Sequence, residues 1–104
     1  METREIRLTA GNIRNNYIDL TDVIGLFPKE VIGGNNKKNM GKRVLVKTDN
    51  GLQFHTDIAG DKKIFRARGV IKRFFNRSRL EEGDIVAISK ISDYEYFLAK
   101  KQNE

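Results

Sequence analysis

The chain has no cysteine, no tryptophan, one proline and one histidine. Without thiols it can form neither a disulfide framework nor a thiolate metal site, and this usage is compatible with a reducing compartment. The lone His55 would leave a zinc site to carboxylates at unhelpful spacings, so it reads as an exposed or partner-contacting side chain. No stretch approaches the ~20 apolar residues of a membrane span, and METREIRLTAG at the start carries charges where a signal peptide is apolar. A soluble protein without a membrane partner is expected.

Catalytic signatures are missing too. Ser78, Ser89 and Ser92 have neither a histidine neighbour nor a glycine elbow, and Glu81, Glu82 and Asp84 surround Gly83 in what reads as a turn. Asp57 and Asp61 have no lysine companion of the kind a nuclease site needs, and GGNNKKNMGK has the wrong spacing for a phosphate-cradling loop. No catalytic residue, metal, cofactor or small-molecule substrate is assigned.

What the chain does have is positive charge. Its 104 residues suit one domain, 1–104, and 20 Lys plus Arg against 14 Asp plus Glu give a net charge of +6, which favours a polyanionic partner. Residues 62–79 hold eight basic side chains and no acidic one: Lys62, Lys63, Arg66, Arg68, Lys72, Arg73, Arg77 and Arg79. Five of the eight are arginine, whose planar fork matches phosphate or a guanine edge where lysine acts as a point charge.

The pattern of apolar residues predicts short strands. Alternation around Ile6 and Leu8 reads as one, residues 17–20 as a second, and RVLVKT and LQFHTDI as a hairpin around Asp49-Asn50-Gly51. Residues 64–68 follow as a strand on which Arg66 and Arg68 share a face, and DIVAISKI and YEYFLAK close the chain as a second hairpin. Thr21 or Asp22 caps a helix of little more than one turn before Pro28, and Val70 with Phe74 and Ile71 with Phe75 make an apolar stripe on a helix over 69–76. TAGNIRNN reads as an exposed loop and residues 33–42 as a mobile basic loop. The expected fold is mainly β: a seven-stranded open β-barrel with two short helices at its ends. Asn12, Arg14, Asn15, Asn16 and Tyr17 form a second group of side chains suited to base edges or phosphates.

"IRLTAGNIRNNYIDLTDVIGLFPKE" and "DKKIFRARGVIKRFFNRSRLEEGDIVAISK" resemble the two landmark regions of the B3-type DNA-binding pseudobarrel, shared by plant B3 transcription factors and the recognition domains of some bacterial type II restriction endonucleases. The landmarks fall at Leu8-Thr9, Pro28-Lys29, Gly69 to Phe75, Leu80 and Gly83-Asp84. Plant members usually carry tryptophan after the helix-leading glycine; Val70 stands there, which suits the bacterial branch and a cytoplasmic location. The resemblance implies sequence-specific binding of double-stranded DNA by two arms in the major groove. It also implies a non-catalytic role, with a nuclease domain in a longer parent protein as a partner. By position, the first arm is residues 9–17, with Asn12, Arg14, Asn15, Asn16 and Tyr17. The second is residues 60–68, with Asp61, Lys62, Lys63, Arg66 and Arg68, while Lys37, Lys38 and Lys42 contact phosphates from the side. Two other readings stand beside this one: an RNA-binding small β-barrel, which needs exposed Phe54 and Phe65 for stacking, and a protein-interaction module.

Overall fold

The structure is a computed structural model and describes residues 1–102. Among these residues the chain forms β1 (Glu2–Arg7), α1 (Ala10–Asn15), β2 (Ile32–Gly33), β3 (Val44–Thr48), β4 (Gln53–Thr56), β5 (Ile58–Ala59), β6 (Ile64–Phe65), α2 (Arg68–Ser78), β7 (Ile85–Ser92) and β8 (Glu95–Lys100), with 3-10 turns at Thr21–Leu26, Lys29–Val31 and Lys37–Asn39. The architecture is mixed α/β, with eight strands in two open sheets rather than seven in one barrel. The larger sheet runs β1-β7-β8-β3-β4, antiparallel except where β3 lies parallel to β8; the smaller runs β2-β5-β6. No helix among the described residues is long and apolar enough to cross a membrane.

Both predicted hairpins form. In the first, Val46 pairs with Phe54 across β3 and β4, and Gly51 takes the positive φ of 89° that its turn requires. Alternation buries Leu52, Phe54 and Thr56 and exposes Gln53 and His55. In the second, Val86, Ile88, Tyr96 and Leu98 are fully buried. Phe27, in the extended conformation just before Pro28, sits 4.5 Å from the Tyr96 ring and 5.9 Å from Phe65, which meets Phe54 at 6.5 Å. These aromatic contacts join the two sheets. Tyr96 donates to the carbonyls of Leu26 and Asp93, and burial pushes its hydroxyl up to about 12.

Helix α2 buries Ile71, Phe74 and Phe75 as the stripe predicts, but runs for 11 residues. The hairpin turn docks on it: Asn50 donates to the Phe74 carbonyl and the Ser78 hydroxyl, and Arg77 donates back to the Asn50 carbonyl.

Four expectations are corrected. TAGNIRNN is not a loop: Thr9 and Asn12 form a reciprocal capping box that opens α1. Residues 17–20 make only a single bridge, Asp19 to Ile64, although Ile18 and Leu20 are fully buried. The strand at 64 stops at Phe65, so Arg66 and Arg68 do not share a strand face. The basic loop at 33–42 is tied down: Gly34 N–H bonds the Asn39 carbonyl at 2.6 Å and Lys42 N–H the Glu30 carbonyl at 2.7 Å.

The tie is electrostatic at its centre. Asp57, wholly buried after β4, takes two parallel hydrogen bonds from Arg66, Nε to Oδ1 at 2.7 Å and Nη2 to Oδ2 at 2.9 Å, and a third from Gly41 N–H at 2.7 Å. Arg66 Nη2 also donates to the Gly34 carbonyl at 2.8 Å. A Cβ on Gly33 would lie 2.6 Å from the Asp57 carboxylate and 2.4 Å from Gly41 N, so the loop closes this tightly only because glycine stands there. Burial alone would raise the Asp57 carboxyl, but the Arg66 and Gly41 hydrogen bonds and the Arg66 charge outweigh it and hold the group below its ordinary value of 3.8.

Arg66→Ala leaves a buried carboxylate without its counter-charge, and urea unfolding is expected to show a loss of about 3 kcal/mol or more. Because the Asp57 pKa is lowered by folding, the pair's contribution is complete above about pH 5 and fades as pH falls through 3.8 and below. Asp57→Asn is expected to flatten that acid limb of the stability curve.

Candidate nucleic-acid interface

The first arm is a short helix with a left-handed end. Asn16 adopts φ 56° and its N–H bonds the carbonyls of Asn12 and Ile13, while Tyr17 N–H returns to the Asn12 carbonyl at 3.1 Å. The second arm is the turn between β5 and β6. Lys63 takes φ 55° there, with its N–H on the Ala59 carbonyl at 2.8 Å, which leaves Asp61, Lys62 and Lys63 exposed.

Backbone contacts staple the two arms together. Leu20 N–H donates to the Lys63 carbonyl at 2.7 Å, next to the bridge between Asp19 and Ile64. From the start of α2, Arg68 adds a side-chain link, donating to the Asn15 carbonyl through Nη2 at 2.6 Å and Nε at 3.2 Å, with its guanidinium 6.0 Å from the Tyr17 ring centroid. Asn15, Tyr17, Asp19, Lys62, Ile64 and Arg68 therefore line one open concavity. Residues far apart in sequence share one face.

Two further concavities adjoin it. Asn15, Asn16, Arg68, Gly69 and Lys72 line one; Lys37, Met40, Arg43, His55 and the segment 66–69 line the other. Arg43 and Gly69 were not among the sequence-predicted contacts, while His55 reads from the sequence only as exposed or partner-contacting and Lys72 only as part of the basic run. His55 and Lys72 carried a signal, one as the outward position of an alternating strand and the other as a charge off the apolar stripe. Arg43 reaches the site only through tertiary folding.

Several predicted residues sit elsewhere or are already engaged. Asn12 is 5% exposed and its side chain closes the capping box, so it is spent inside the arm. Arg66 is held by Asp57 and Gly34 rather than presented on a strand face. Lys42 lies 3.9 Å above the Tyr94 ring, whose hydroxyl bonds Glu30, and lines none of the three concavities. Arg14 and Lys38 are exposed outside them. Phe54 and Phe65, the stacking platform an RNA-binding barrel would need, are buried. Among the described residues, no group of three or more histidine or carboxylate side chains is placed to hold a metal ion.

No known family's model matches the chain, and no curated protein matches it. Among solved structures, the fold is similar to the N-terminal domain of Helicobacter pylori LlaJI.R1, with a TM-score of 0.58 at 14% sequence identity. That match covers 98% of this chain and 88% of the other. The likeness is one of fold.

Asn12→Ala removes half of the capping box. It is expected to cost about 1 kcal/mol in thermal unfolding and to raise amide exchange across residues 10–17, an effect that an exposed contact residue would not produce.

Proposed function

We propose that this chain is a sequence-specific double-stranded DNA-binding domain, without catalytic activity of its own, that grips the major groove with residues 9–17 and 60–68. The scaffold is read as an opened B3-type pseudobarrel. The parent molecule is read as a bacterial, cytoplasmic restriction enzyme whose nuclease domain lies elsewhere. The observation that carries this reading is the stapling of the two arms onto one face, with cations beside them from α2 and from the 35–43 segment. The likeness in fold to the LlaJI.R1 N-terminal domain is in keeping with this reading.

The roles divide by chemistry. Arg14, Asn15, Asn16 and Tyr17 on the first arm and Asp61, Lys62 and Lys63 on the second are the candidates for base edges and nearby phosphates. Asp61 is suited to accept from cytosine N4, which a purely electrostatic binder would not need. Arg68 both fixes the first arm and faces the shared concavity. Lys37 and Lys38 supply charge to the backbone from the side. Arg66 serves as the clamp that sets the basic loop against the second arm.

The test is selection of bound duplexes from a random library, followed by titration of selected, unrelated and single-stranded probes at two salt concentrations. Arg14→Ala is expected to lose about 1–3 kcal/mol on the selected duplex and much less on the unrelated one. Lys38→Ala should weaken both duplexes alike and lower the salt slope by roughly one. Equal affinity for every duplex, or preference for single strands, would falsify the assignment.

A further inference from the structure

We infer that a phosphodiester strand of the bound duplex crosses the first turn of α2 directly over Gly69, between Lys72 on one side and Arg43 and His55 on the other. This rests on the DNA-binding reading above and adds a contact track that neither arm contains. Gly69 is common to the two concavities flanking the arms, one lined with Asn15, Asn16, Arg68 and Lys72, the other with Lys37, Met40, Arg43 and His55. Neither lining includes a carboxylate, in a chain that has 14 of them. The cationic side chains and His55 come from separate parts of the fold: the 3-10 turn at Lys37–Asn39, the residue before β3, strand β4 and helix α2. Such convergence concentrates positive potential along one line.

Gly69 itself points to a ligand. Its φ is not positive, and a Cβ built there would meet nothing within 4 Å, so neither backbone conformation nor internal packing requires glycine. Alanine is the better helix former at such a position. Glycine is the residue that lets another molecule's backbone approach closely, and an exposed, cation-flanked stretch of helix is where a phosphate strand would do so.

His55 adds a hydrogen-bonding side chain to the track. It stands on the outward face of β4, opposite Leu45 of β3. The charged groups around it are Lys37, Arg43, Arg66 and Arg68, with Arg66 already neutralised by Asp57. A phosphate arriving there can accept a hydrogen bond from the imidazole N–H.

The experiment measures duplex affinity by fluorescence anisotropy for Gly69→Ala, Lys72→Ala and Arg43→Ala, with melting temperatures alongside. Gly69→Ala is expected to melt at or above the wild-type temperature yet bind selected and unrelated duplexes alike roughly tenfold more weakly. Lys72→Ala and Arg43→Ala should each reduce the salt slope by roughly one. If Gly69→Ala melts early, the two salt-slope variants decide. Wild-type binding by Gly69→Ala, or unchanged salt slopes, overturns the track while leaving effects at Arg14 intact; absence of duplex binding in the wild type overturns the arms as well.

Discussion

The buried pair of Asp57 and Arg66 is the constraint on which the rest of the molecule depends. The smaller sheet has strands of only two residues, too few ladder bonds to fix its own position. One guanidinium and one carboxylate join segments at residues 34, 41, 57 and 66, so the chain entering the sheet, the basic loop and the approach to α2 are set by a single cluster. Desolvating two charges is costly, and the geometry answers that cost with parallel bonds, an additional main-chain donor and an additional main-chain acceptor. No buried side-chain nitrogen or oxygen among the described residues lacks a hydrogen-bond partner.

From that clamp the basic run sorts itself by depth. Arg66 turns inward. Arg68 reaches sideways to the first arm, and Lys72 stands at the rim of the surface while Ile71, Phe74 and Phe75 fill the core beneath. Core and charge thus share a segment without conflict, because helical periodicity separates by about 100° per residue what the sequence writes side by side. The aromatic chain from Tyr96 through Phe27 and Phe65 to Phe54 then fixes the sheets behind that surface.

Where local rules act alone, the sequence was readable. The Asp-Asn-Gly turn, the alternation of β4, the apolar stripe of α2 and the closing of a helical turn before Pro28 all rest on neighbours within a few residues. Where partners come from afar, it was not. Nothing near Arg66 indicates that Asp57 will be buried beside it, so two arginines at i and i+2 read as one strand face when the chain was about to enter a helix. Asn12 was hidden for another reason: its capping partner Thr9 is local, but asparagine is the less usual residue at that position of the box, and one isolated Ile13 gives α1 no stripe. At the candidate site, the basic run and the Asn-rich segment were legible as composition, whereas Arg43, Gly69 and the joining of the concavities exist only after folding.

The staple joins main chain to main chain where Leu20, just beyond the first arm, donates to the Lys63 carbonyl, and even the Arg68 side chain takes a backbone carbonyl, that of Asn15, as its acceptor. A link of that kind is indifferent to which residues decorate the tips. Exchanging Asn15, Tyr17 or Lys62 for other types would alter what the surface touches while its gauge stays constant, so chemistry and spacing can be tuned independently. Such a frame can be re-lettered without being rebuilt.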